Sequence, residues 1–144
     1  YAEECQNLAV SLKLEKSVLF FGVKDVKNYY ANIGLTVLSS ISEGLPLVVL
    51  ESFASGIPVV ATNVGACRQL IEGGSKPDRA LGSAGKIVPI ANPSKLAMAC
   101  LSLLQNIDNW KKAQETALKR VRKYYNEKKI WNSYRNIYDC YLEK

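Results

Sequence analysis

The sequence has no histidine and one methionine, and its four cysteines stand far apart as Cys5, Cys67, Cys100 and Cys140. Without histidine there is no Ser-His or Cys-His nucleophile pair. Without a Cys-x-x-Cys spacing there is no zinc framework. Isolated cysteines are expected as small buried hydrophobes in a reducing, cytoplasmic compartment. No apolar run reaches the ~18 residues that a membrane-crossing helix needs. Internal repeats and low-complexity linkers are also missing. The chain opens on Tyr1 with no leader pattern, as expected of a piece of a longer protein.

What is present is an ordinary globular composition. Of 144 residues, 48% are hydrophobic and 22% charged, enough for a single core. Charge is unevenly placed. Ten basic and four acidic residues lie between Lys111 and Lys144, whereas the first 110 residues hold nine of each. The basic character therefore belongs to the tail.

Hydrophobic periodicity divides the chain in two. Residues 1–13 place Cys5, Leu8, Ala9 and Leu12 on one helical face. Continuous apolar runs predict strands at Ser17–Phe21, Leu35–Leu38, Pro58–Thr62 and Gly85–Val88. Between them, helices are predicted at Val26–Asn32, at Pro46–Ser55 (opened by proline and stopped by Gly56) and at Ala66–Glu72, with a polar loop to Ser83. After Pro93 the pattern is wholly helical, over 94–106, 109–125 and about 128–143. Alternating strands and helices imply an α/β fold, a Rossmann-like parallel sheet with helices on both faces and a helical C-terminal tail. Residues 1–144 are expected to form one partial domain, about 1–92 being the α/β part and about 93–144 the C-terminal helices. Right-handed crossovers put the loops after the strands along one edge, where such sheets bind ligands.

The chemistry concentrates in Ser39–Glu51. A strand ends near Ser39, a loop carries Ser40, Ser42, Glu43 and Gly44, and a helix begins at about Pro46. A first helical turn offers unpaired N–H groups that attract a phosphate or diphosphate. Proline has no N–H, so the donors are Leu45, Leu47 and Val48. Glu43 and Glu51 should lie about 10 Å apart along the helix axis. That is wider than the ~5–5.5 Å of paired glycosidase carboxylates. It suits two carboxylates on different parts of one long ligand, Glu51 holding vicinal hydroxyls. The bland reading stays open beside this one: a helical Glu is ordinarily solvated, and a Glu before a helix is often a cap.

The block from Ser42-Glu43-Gly44-Leu45-Pro46 through Glu51 and Gly56-Ile57-Pro58-Val59-Val60 to Thr62 closely resembles the signature of family 4 ("group 1") glycosyltransferases of the GT-B fold. Their hallmark is a Glu-x7-Glu element followed by a Gly-x-Pro-Val-Val strand entry. The resemblance extends upstream to Val18–Gly22 and Asp25–Tyr30, and downstream through Asn63–Gly65 and Gln69–Gly73. Within Pro77–Pro93 the chain looks most like Pel-type exopolysaccharide transferases. The resemblance implies transfer from a nucleotide-diphosphate sugar such as UDP-glucose with retention at the anomeric carbon, without a bound metal or other cofactor. It implies Glu51 at the ribose and Glu43 as the catalytic carboxylate beside sugar and diphosphate. Gly44, Leu45, Leu47 and Val48 would then be backbone contacts, and Val23 and Lys24 would lie near the base. The family's diphosphate-binding Arg and Lys, and the N-terminal domain that holds the glycan acceptor, would lie before Tyr1. The chain alone is therefore not expected to catalyse.

Gly82-Ser-Ala-Gly85-Lys86 is too short for a phosphate loop and has Ile87 where a magnesium-binding hydroxyl belongs. Arg68 reads as a solvated helix arginine. In the tail, Tyr124, Trp131, Tyr134 and Tyr138 fit one packed helix face, core or interdomain, rather than a nucleic-acid surface. An acidic partner or the inner membrane face is the other reading, with peripheral association through the basic tail. Two rival functions remain at this level, a nucleotide-sugar epimerase and a non-catalytic α/β interaction module.

Overall fold

The apolar runs on either side of Pro58 and after Gly85 do become strands. In the computed structural model, which describes residues 1–142, β1 (Thr36–Leu38), β2 (Val59–Thr62) and β3 (Gly85–Val88) form one parallel sheet in that order. Thr36 pairs with Val59, and Val60 with Lys86. The central strand is buried along its whole length, which is why it reads as an unbroken apolar run. Glycine is required at Gly85, because a Cβ there would overlap the Val59 carbonyl oxygen.

Helices cover both faces. They are α1 (Ala2–Ser11), α2 (Leu47–Ala54), α3 (Cys67–Glu72), α4 (Lys76–Arg79), α5 (Pro93–Leu104), α6 (Ile107–Tyr124) and α7 (Glu127–Leu142). Successive residues of β2 point to opposite faces. Val59 and Ala61 pack with Val49 and Phe53 of α2, Leu70 and Ile71 of α3, and Ala117 of α6. Val60 packs with Leu103 of α5 and Ala113 of α6. Complete burial of Val49 and Phe53 contributes on the order of 1.5–3 kcal/mol each.

Ser17–Phe21 is not a strand: a strand needs a hydrogen-bonded neighbour, and among the described residues none lies beside it. Leu19, Phe20 and Phe21 are accordingly exposed. The sheet thus has three strands, not four. Val26–Asn32 is not one helix but two 3₁₀ turns, Val26–Asn28 and Tyr30–Asn32, the first capped by the Asp25 carboxylate accepting from Lys27 N–H. The loop before Ser83 contains α4, whose Ser75-x-x-Asp78 start is a capping pattern that Gly73-Gly74 obscured.

The tail also differs in detail. Nothing in α7 is buried, so Trp131, Tyr134 and Tyr138 pack on no core of this chain. The expected end of that helix near residue 143 lies outside the described residues. Among the described residues no helix is long and apolar enough to cross a membrane. Of the cysteines only Cys67 is buried; Cys5 and Cys100 are half-buried and Cys140 is exposed.

Arg120, one of the basic residues of the tail, is fully buried in α6. Its Nε donates to Asp78 Oδ1 at 2.6 Å, and its terminal nitrogens donate to the carbonyls of Ile71 (2.6 Å), Gly82 (2.7 Å) and Asp78 (3.0 Å). The second Asp78 oxygen accepts from Gly74 N–H at 2.9 Å. Removing one member of such a pair strands a buried charge. Arg120→Ala is therefore expected to cost about 3–5 kcal/mol, read as a lowered urea midpoint. Joint replacement by Arg120→Met and Asp78→Leu should cost less than either single change.

Candidate functional site

The two residues singled out by the Glu-x7-Glu spacing lie on the loop that follows β1, which carries Glu43, and on the helix it leads into, which carries Glu51. After Leu38 the chain turns across the edge of β2, whose last residue, Thr62, donates its hydroxyl to the Ser40 carbonyl or, at a longer 3.4 Å, to that of Leu38. Ser40 in turn donates its hydroxyl to Glu43 Oε1 at 2.7 Å. Ala66 N–H donates to the Gly44 carbonyl at 2.9 Å, tying the loop to the start of α3. Gly65, at φ +47°, lies so close that a Cβ would overlap the carbonyl oxygens of Glu43 and Gly44. Glu43 is thus half-buried and held from below by the ends of two neighbouring segments.

Helix α2 starts immediately after this loop, with extended Pro46 as its cap residue. Val49 N–H donates to the Pro46 carbonyl at 3.2 Å. The N–H groups of Leu47 and Val48 have no acceptor among the described residues, the vacancy that any first helical turn leaves. The side chains of Leu45 and Leu47 are exposed, so what this edge offers a ligand is backbone.

Glu51 lies one turn further along α2. Its neighbour Ser52 faces inward, donating to Thr36 Oγ1 at 2.8 Å or to the Val48 carbonyl at 2.7 Å. One residue is about 100° of helix, so Glu51 faces outward. There its Oε2 accepts from the Tyr30 hydroxyl at 3.0 Å. Burial first, then that bond and the carboxylate charge, push the Tyr30 phenol up to about 12. Burial also raises the Cys67 thiol, with the Glu43 charge adding to it.

Among the described residues neither Glu43 nor Glu51 forms an ion pair with Lys or Arg. Both are oriented by neutral hydroxyls. Arg68 is spent elsewhere, donating to Glu72 at 2.8 Å and to Asn63 at 3.2 Å. Val23 is fully solvent-facing and Lys24 exposed in the loop after Gly22, and neither is hydrogen-bonded to either carboxylate. Sequence reasoning missed Tyr30, Thr62 and Gly65 as supports. All three lie within the stretches that resemble the family, but that resemblance gave none of them a role.

Gly65→Ala should cost at least about 1–2 kcal/mol from its left-handed backbone alone. It should also dislodge the Glu43 loop, seen as faster amide hydrogen exchange over residues 40–45. Unchanged exchange there would refute the role given to Gly65.

Residues 1–106 match the model of the glycosyl transferases group 1 family. No curated protein matches the chain. Among solved structures, sucrose-phosphate synthase from Thermosynechococcus elongatus superposes with a TM-score of 0.84 at 24% identity, over 98% of this chain and 34% of that one. A glycosyltransferase from Rickettsia africae gives 0.81 at 24% identity, over 99% and 37%. The C-terminal domain of a group 1 family protein from Francisella tularensis gives 0.73 at 22% identity, over 88% and 63%. The chain therefore spans about a third of the length of the first and second of these and under two thirds of the last, and it has the fold of GT-B glycosyltransferases. With its parallel sheet, its Glu43–Glu51 loop and helix, and a family match running from Tyr1 to Asn106, the chain belongs to the group 1 glycosyltransferases.

Proposed function

We propose that this chain is the donor-binding part of a retaining glycosyltransferase, one partial domain of a longer enzyme. That enzyme would move a sugar from a nucleotide-diphosphate sugar such as UDP-glucose to a glycan or lipid-linked acceptor in polysaccharide biosynthesis. The acceptor would be held by a domain outside residues 1–144. The enzyme would work in the cytoplasm, with the basic tail from Lys111 onward as its point of peripheral association with the inner membrane face.

The observation that carries this reading is one arrangement: two vacant N–H groups at the start of α2 with a hydroxyl-held carboxylate on either side. Vacant N–H groups favour the negative diphosphate. A carboxylate free of Lys and Arg keeps lone pairs for sugar hydroxyls. Glu51 would accept from the vicinal ribose hydroxyls, and Glu43 would face the donor sugar. Gly44, Leu45, Leu47 and Val48 would line the diphosphate through their backbone, and the base would lie toward Val23 and Lys24. When the bond between the anomeric carbon and the diphosphate breaks, charge grows on the departing oxygen. Fixed N–H donors stabilise that charge without reorganising.

Calorimetric titration of UDP and UDP-glucose into the full-length protein tests this. Glu51→Ala should weaken both by ~1–3 kcal/mol, the loss of hydrogen bonds to a charged group. Unchanged binding would remove Glu51 from the site. No binding of any nucleotide sugar to the parent would favour a non-catalytic module.

A further inference from the structure

Glu51 is a solvent-facing carboxylate on a helix, and such side chains ordinarily sample several rotamers. Here one oxygen is tied down. Tyr30 Oη donates to Glu51 Oε2 at 3.0 Å across 21 residues of sequence. Both partners are themselves placed by the sheet. Tyr30 opens the second 3₁₀ turn, where Ile33 N–H donates to its carbonyl at 3.2 Å. The Gly34 carbonyl just beyond accepts from Trp110 Nε1 at 2.6 Å, and the chain then enters β1 at Thr36. Thr36 meets Ser52, the residue next to Glu51, at 2.8 Å. The phenol and the carboxylate therefore approach from two segments fixed on the same strand.

We propose that Tyr30 is a positioning residue for the donor nucleotide, holding Glu51 in the rotamer that accepts the ribose hydroxyls. This rests on the donor-site reading of Glu51 given above. A carboxylate has about four lone-pair sites, and Tyr30 uses one of them on Oε2. Oε1 and the remaining Oε2 site are left for two vicinal hydroxyls. The phenol is a neutral donor at physiological pH, so it orients the carboxylate without cancelling its charge. A Lys or Arg in the same place would hold Glu51 equally well but would compete for the same lone pairs.

The test uses the full-length protein, with UDP and 2′-deoxy-UDP as probes, and the variants Tyr30→Phe, Glu51→Ala and the double change. Tyr30→Phe keeps the ring and its packing, so the thermal midpoint should hold within a few degrees. UDP affinity should fall ~3–10-fold, the worth of one hydrogen bond. Affinity for 2′-deoxy-UDP should fall less, so that preference for the ribose 2′-hydroxyl narrows. In the Glu51→Ala background, Tyr30→Phe should have no further effect. Equal weakening toward both nucleotides, or an undiminished effect without Glu51, would overturn the proposal while leaving Glu51 at the ribose. If Glu51→Ala itself changes neither affinity nor ribose preference, the donor-site reading fails and this inference fails with it.

Discussion

Arg120 is a buried cation whose guanidinium is bonded on every side by acceptors from a single neighbourhood: the Asp78 carboxylate and the carbonyls of Leu70, Ile71, Asp78 and Gly82. Two of those carbonyls belong to α3, a helix of 6 residues too short to satisfy its own last turn. The arginine therefore does from α6 what a longer helix would do for itself. Through it, α6 is pinned to the segment between α3 and β3, and β3 is presented to the sheet with Gly85 against Val59. The central strand, its helical cover and the loops at its end all depend on that closure.

The edge above β2 inherits this rigidity. Thr62 closes the central strand and at once holds the loop that follows β1. Gly65 and Ala66 hold the next two residues of that loop from the start of α3. The carboxylate of Glu43 and the empty N–H groups of α2 are therefore carried by packed elements rather than by a free loop, the condition under which hydrogen-bond donors are preorganised. That both glutamates are steadied by hydroxyls and not by cations is a distinct choice. It leaves negative, hydroxyl-seeking carboxylates before and within a helix whose start is N–H-rich and anion-seeking.

Much of this was legible in the residues. The strands at Thr36, Val59 and Gly85, the helix opened by Pro46 and stopped by Gly56, and the two glutamates around it all follow from patterns only a few residues long. The Ser17–Phe21 run failed for an instructive reason. Its composition is that of a strand, but a strand is defined by its neighbour, and no other strand among the described residues supplies one. The aromatic stripe of α7 was likewise real as a pattern, yet it faces no core of this chain. Arg120 was counted as part of a basic tail, since nothing in a helix of lysines marks which cation will be buried.

By itself the sequence determined the parallel α/β layering, the position of the candidate site at the start of α2, and the family. The first two rest on local apolar runs and on proline and glycine geometry, and the family on the resemblance of the Ser42–Thr62 block to a known signature. Tertiary structure alone decided which partners those groups found. Tyr30 meets Glu51 across 21 residues, and Arg120 meets Asp78 across 42. Contacts at that separation leave no periodic trace in the chain, because they are set by how twisted strands and packed helices converge in space and not by the spacing of residues along it.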